Sequence, residues 1–245
     1  MAHVFSIDTL IPFFTLCILE LVLGIDNIIF ISILSSKLPK ELQKKARTLG
    51  LSLAVFTRVL LLLSISWVIG LTAPLFNLYG QEVSGRSLIL IIGGLFLIAK
   101  STHEIHQKLE ADEEISDTTK ATHSFLGVIF QILLLDIVFS LDSVITAVGM
   151  VSNVNIMIAA VIVSTIVMIY TSGPISEFVE DHPTVKILAL SFLLLVGVTL
   201  IAEGFNQHIS KGYIYFAMSF SLFVEAINIR MKKKKDHLTL KKTWK

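Results

Sequence analysis

Cysteine, proline and charged residues are all scarce in this chain of 245 residues. Its single thiol, Cys17, cannot form an intrachain disulfide or a zinc–thiolate cluster, which excludes a disulfide-stapled domain and a zinc finger. Only 16% of the residues are Asp, Glu, Lys or Arg, whereas 54% are hydrophobic and the mean hydropathy is +0.80. This composition is not that of a soluble domain and indicates a polytopic membrane protein.

The hydropathy pattern predicts an all-α protein with seven transmembrane helices. The predicted spans cover residues 10–34, 48–71, 87–104, 124–150, 155–172, 185–202 and 213–230. Lysine and arginine are concentrated in the first and third loops and in the C-terminal tail. By the positive-inside rule, we expect the N-terminus outside and the C-terminus in the cytoplasm. The lysines of the tail then serve as an anchor at anionic lipid head groups, and no nucleic-acid partner is expected.

Two of the predicted spans carry the same acidic signature. Residues 20–27 read ELVLGIDN and residues 136–143 read DIVFSLDS, so each has a carboxylate, five intervening residues, a second carboxylate and a small polar residue. The ends of spans 3 and 6 are also alike, with LIAKSTHEIH at 97–106 and LIAEGFNQHI at 200–209. Each half of such a repeat contains three spans, so the second half is inserted upside down, as in many transporters.

The repeat divides the chain into five predicted segments. They are a first three-helix repeat (1–104), a cytoplasmic linker (105–123), a second, inverted three-helix repeat (124–209), a seventh transmembrane helix (210–230) and a basic cytoplasmic tail (231–245).

The signatures place four carboxylates in the middle of apolar spans: Glu20, Asp26, Asp136 and Asp142. Each ionised Asp at a helix centre costs roughly 2.5–3.5 kcal/mol on insertion scales, so four unpaired acids would cost on the order of 10 kcal/mol. A cationic partner is therefore expected. If all four acids share one site, helices 1 and 4 have to kink or unwind between them, and Gly24 offers such a break in the first.

Carboxylate, amide and hydroxyl oxygens together favour a hard divalent cation such as Mg²⁺, Ca²⁺ or Mn²⁺. The ion is expected as transported substrate, and no resident cofactor is predicted. Arg58, in the middle of span 2, is an alternative partner for one of the acids and is interpreted as a counter-charge or gate. The candidate metal ligands are Glu20, Asp26, Asn27, Asp136, Asp142 and Ser143, with Met168, Glu203 and Glu225 as accessory candidates.

With these motifs in view, the sequence resembles the TerC family of integral membrane proteins. The matching segments include ELVLGIDNIIF at 20–30, DIVFSLDSVITAVGM at 136–150 and KGYIYFAMSFSLFVEAIN at 211–228. The resemblance implies a multi-pass protein of the bacterial inner (cytoplasmic) membrane. It also implies a role in metal-ion homeostasis, particularly manganese export, with the metal ion and the lipid bilayer as partners.

The sequence thus predicts a divalent-metal transporter, and not an enzyme, with its site between the two repeats. Two other classes remain as alternatives. One is a non-transporting membrane scaffold that supports metal delivery or resistance. The other is an intramembrane aspartyl protease, whose two catalytic acids also lie on two membrane helices, although neither LGIDN nor FSLDS supplies the glycines usual around such an acid.

Overall fold

The computed structural model describes residues 7–78, 81–110, 124–151 and 153–240, and these residues form eight α-helices and one β-hairpin. Seven of the described helices, all except α3, are long and apolar enough to cross a membrane, which confirms the predicted seven-helix architecture. The elements are α1 (Ile7–Ser35), α2 (Lys40–Leu63), α3 (Ile65–Gly70), β1 (Pro74–Leu78), β2 (Gln81–Ser84), α4 (Gly85–Glu110), α5 (Phe125–Met150), α6 (Val154–Asp181), α7 (Pro183–Gly204) and α8 (Lys211–Leu240).

Helix boundaries differ from the hydropathy prediction mostly where the helices carry polar residues. Helix α2 starts at Lys40 rather than at residue 48, because its first turns (KELQKKAR) are polar yet still form helical hydrogen bonds. It stops at Leu63, and α3 follows after Ser64. The loop after α3 contains the antiparallel hairpin of β1 and β2, which is too short for a hydropathy window to detect.

Helices α1 and α5 are continuous through the acidic signatures, so the unwinding that a single site for all four acids would require is absent there. Gly24 has another use, because a Cβ atom there would collide with the Met168 side chain of α6. Glycine therefore lets α1 approach α6 closely without breaking. In α5, the Ser140 hydroxyl donates to Asp136 Oδ2 at 3.2 Å, one turn away in an intact helix.

Helix α1 packs along α6, and the two run in the same direction. The Cys17 thiol points to the Ala160 carbonyl at 3.9 Å, and further along both helices Gly24 faces Met168. This pairing joins the first helix of the first repeat to the second helix of the other.

Helix α2 packs along α5 in the corresponding way. Gly50 lies against Ile132, and further along Thr57 Oγ1 donates to Asp136 Oδ2 at 3.0 Å. Helices α2 and α1 are joined by a short turn and run in opposite directions, so α5 is also antiparallel to its counterpart α1. The two repeats are therefore inverted relative to each other and exchange packing partners.

The third helices of the two repeats, α4 and α7, cross at a pair of glycines. A Cβ atom on Gly94 would lie 2.6 Å from the Gly197 carbonyl oxygen, and one on Gly197 would lie 2.9 Å from the Gly94 carbonyl oxygen. These glycines occupy equivalent positions when LIAK (97–100) is aligned with LIAE (200–203). The two-fold relation between the repeats thus passes through this crossing.

Helix α8 lies outside the paired repeats and packs mainly on α7. Only 6% of its membrane-crossing stretch is buried in protein, compared with 61% for α5. Its exposed aromatic residues, including the stacked Phe216 and Phe220, face the surroundings rather than the core. Helix α8, the seventh membrane-crossing helix, is therefore an addition at the edge of the bundle.

Candidate ion-binding site

Arg58 binds the first acid of both signatures. Its Nη1 donates to Glu20 Oε2 at 2.5 Å, and its Nε and Nη2 donate to Asp136 Oδ1 at 3.2 and 3.0 Å. All three residues are at most 5% exposed. The guanidinium, with five donors in a fixed fork, can serve two carboxylates at once. The sequence predicted this arginine as a partner for one acid, whereas it joins two.

The second acid of the second signature has different partners. Asp142 Oδ1 accepts from Arg86 Nη2 at 2.6 Å, and Asp142 Oδ2 accepts from Lys211 Nζ. Arg86 lies in the first turn of α4 and Lys211 begins α8, so Asp142 is level with the ends of two helices rather than with their middles. Sequence reasoning missed both cations. The one available signal was that each is the only basic residue of its predicted loop.

Glu203, near the end of α7, completes this group. Its side chain is buried, and its Oε2 lies 3.7 Å from Arg86 Nη2 and has no hydrogen-bond partner among the described residues. Asp142 receives the hydrogen bonds of both cations, so Glu203 retains a buried oxygen that can accept a further donor or a cation.

Two cavities meet at these carboxylates, and both are lined by Asp142, Glu203 and Lys211. The inner one has a volume of about 70 Å³, and the wider outer one about 430 Å³. The polar lining of the inner cavity consists of Asn27, Arg58, Asp142, Ser143, Thr199, Glu203, Lys211 and Tyr215. The outer cavity adds Thr72, Arg86, Thr146, His208 and Ser210. Each of the two cavities is large enough for several waters, or for an ion that keeps part of its hydration shell.

The structure brings some of the predicted ligands together and separates others. Asn27 and Ser143, one from each signature, line the inner cavity together with Asp142. Glu20 and Asp136 instead face Arg58, which also lines this cavity. They are thus linked to it only through the arginine.

The remaining candidates are distributed as follows. The side chain of Asp26 lies outside the described residues, although its backbone continues α1. Met168 packs against Gly24 and lines a small hollow beside Arg58. Glu225 accepts from Thr184 Oγ1 at 2.5 Å, on the side of α7 that meets α8. In the part of the chain that the structure describes, no three His, Cys, Asp or Glu side chains are grouped so that they could hold a metal ion.

A second ionic cluster ties the opposite ends of the helices. Glu104 of α4 pairs with Lys37, which follows α1, and with Lys100 at 2.9 Å. Lys186 in the first turn of α7 donates to Ser36 Oγ at 3.2 Å. Burial lowers the pKa of the Lys37 amine, and the hydrogen bond that Lys37 donates to Glu104 offsets part of that effect. We call this group the Lys37–Glu104 cluster. It joins α1, α4 and α7 at the end away from Asp142.

Fold and site together define a class: a polytopic α-helical membrane protein built from inverted repeats, with buried ionic clusters and a polar cavity between them. The chain belongs to the TerC family of integral membrane proteins, since the model of the "Integral membrane protein TerC family" matches residues 5–237. The predicted family membership is therefore confirmed.

Several bacterial proteins are similar to this chain. The chain is 58% identical over 219 residues to a UPF0053 protein of Haemophilus influenzae, covering 89% of this chain and 92% of that one. It is 56% identical over 220 residues to the UPF0053 inner membrane protein YgdQ of Escherichia coli, covering 90% and 92%. The UPF0053 inner membrane protein YoaE of Escherichia coli is 52% identical over 214 residues, which cover 87% of this chain but 41% of YoaE. No solved structure matches the chain.

Proposed function

We propose that the protein is a transporter that exports divalent metal ions, most specifically manganese, through the inner cavity between its repeats. The observation that carries this proposal is the cavity wall, which combines Asn27 of α1 with Asp142 and Ser143 of α5 and Glu203 of α7. Both repeats thus contribute oxygen donors to one polar cavity.

The donor types suit a hard cation. Carboxylate, amide and hydroxyl oxygens bind Mn²⁺, Ca²⁺ and Mg²⁺, and such ions often keep several waters when few carboxylates are available. Two carboxylates, Asp142 and Glu203, match the charge of one divalent ion. Manganese is preferred within this group because of the role in manganese export associated with the TerC family.

The two ends of the bundle support an alternating-access mechanism. The outer cavity leads to Asp142 and Glu203, whereas the Lys37–Glu104 cluster joins the helix ends on the opposite side. Exchange between these arrangements would expose the ion to each side in turn. We place the Lys37–Glu104 cluster at the cytoplasmic face of the bacterial inner membrane, since the basic first loop lies at that end.

The test is Mn²⁺ flux into and out of proteoliposomes that contain the purified protein, with Ca²⁺ and Mg²⁺ measured in parallel. We expect Asp142→Asn and Glu203→Gln each to reduce Mn²⁺ flux at least about tenfold, because loss of one carboxylate removes a charge-assisted ligand worth roughly 1.5–3 kcal/mol. Glu177→Gln, which neutralises an exposed acid of α6, is the matched control and should leave flux unchanged.

Size-exclusion chromatography accompanies the flux measurement, because Asp142→Asn leaves Arg86 and Lys211 without their shared carboxylate. Wild-type flux in a well-folded Asp142→Asn variant would exclude this carboxylate as a ligand. Absence of any divalent-ion flux in the wild type would contradict the proposed function itself and favour the membrane scaffold.

A further inference from the structure

Helix α8, the seventh membrane-crossing helix, brings one positive charge to the proposed ion site. The two repeats supply the other charged groups there. Lys211 is the first residue of α8, and its Nζ donates to Asp142 Oδ2. That oxygen also borders both cavities, where a metal ion would need it as a ligand. An ammonium group and a metal ion compete for the same carboxylate oxygen, because their positive charges repel each other at this distance.

We propose that Lys211 is a tethered counter-cation, which holds Asp142 when the site is empty and has to leave for a divalent ion to bind. This inference rests on the proposed function and assigns a role in it to the helix outside the repeats. Lys211 is a positioning and competing residue, since it donates to Asp142 and is not itself a ligand of the ion.

Lys211 is better suited to leave than the second cation, Arg86. The Lys211 side chain is 35% exposed, whereas that of Arg86 is 21% exposed. Arg86 is fixed at the hairpin end of α4, where its backbone N–H donates to the Leu71 carbonyl at 3.0 Å. Lysine carries a compact charge on a flexible four-carbon stem, so it can swing into the 430 Å³ outer cavity without moving the backbone.

The position of α8 supports the same conclusion. An exposed non-helical segment, residues 205–210, precedes Lys211, and the membrane-crossing stretch of α8 is almost unburied. Apart from Ile214, which is buried in the first turn, the residues at the start of this helix are largely exposed or half-buried. Arg86 and Lys211 together balance the charges of Asp142 and Glu203. Departure of Lys211 alone leaves one net negative charge there, which attracts a cation.

The experiment measures Mn²⁺ binding to the purified protein by electron paramagnetic resonance of the free ion, and Mn²⁺ flux in proteoliposomes. Lys211→Gln should lower the dissociation constant about tenfold, because the ion no longer competes with a charge-assisted hydrogen bond. Its maximal flux should fall, since nothing then helps to displace the bound ion. Lys211→Arg, which keeps the competing charge, should bind Mn²⁺ like the wild type.

Lys40→Gln is the matched control, because Lys40 also begins a helix, α2, and is exposed. It should change neither binding nor flux. If Lys211 only fastened α8 to the bundle, Lys211→Gln would bind Mn²⁺ as weakly as the wild type or more weakly, and that result would overturn the inference while leaving the transporter intact. A wild-type protein that neither binds nor moves Mn²⁺ would overturn both.

Discussion

Arg58 should be the most stability-critical charged residue of the bundle, and its replacement offers a direct test of the buried triad with Glu20 and Asp136. Arg58→Met keeps a side chain of similar length but leaves two carboxylates, each 5% exposed, without their shared cation. Breaking a buried ion pair by removing one partner costs about 3–5 kcal/mol. In a protein of this size that corresponds to a fall in Tm of roughly 6–20 °C.

The same reasoning predicts that removal of all three charges restores much of this loss. The triple variant Arg58→Met, Glu20→Gln, Asp136→Asn contains no buried charge at this position, and such neutral replacements of buried ion pairs are often close to neutral in stability. The Thr57 and Ser140 hydroxyls can still hydrogen-bond to the amide that replaces the Asp136 carboxylate. We therefore expect the triple variant to be more stable than the single one.

Thermal unfolding in detergent, followed by size-exclusion chromatography, measures both effects. Arg230→Met is the matched control, because Arg230 is an exposed arginine of α8, and its replacement should shift Tm by little. An Arg58→Met protein as stable as the wild type would refute the triad as a buried, charge-compensated unit. So would a triple variant that is no more stable than the single variant.

Two further predictions concern the helix crossing and the orientation. Gly94→Ala should lower Tm by several degrees, since its Cβ would press on the Gly197 backbone oxygen and overpacking costs about 1–3 kcal/mol. The control is Gly149→Ala, whose Cβ would have nothing within 4 Å. It should not lower Tm in the same unfolding assay. A reporter enzyme fused after Leu240 should be active on the cytoplasmic side and one inserted in the hairpin on the opposite side. Equal activity of a reporter at both places would refute the proposed orientation.

Much of the architecture follows from properties that are local along the chain. Seven apolar stretches of membrane-crossing length are read directly from hydropathy, and all seven appear as helices among the described residues. The duplicated signature and the LIAK and LIAE segments indicate the inverted repeat, because an odd number of spans fixes the relative orientation of the halves. The polar first turns of α2 were missed, since hydropathy does not register helical hydrogen bonds.

The partners of the acids depend on contacts between distant parts of the chain. Spacing alone placed Asp136 and Asp142 in one signature, yet Asp136 binds Arg58, 78 positions away, and Asp142 binds Lys211, 69 positions away. No periodicity predicts these pairings, because they result from which helices meet after packing.

The sequence by itself therefore determined the class of protein, its family, its helices and the residue types that a cation site would use. Tertiary structure decided that Gly24 serves a close helix contact instead of a break, and that Glu203 joins Asp142 at one polar cavity. It also decided that Arg86 and Lys211 neutralise that cavity. The physical reason is that burial makes a charge costly wherever it lies, whereas only the folded arrangement determines which opposite charge is near enough to compensate it.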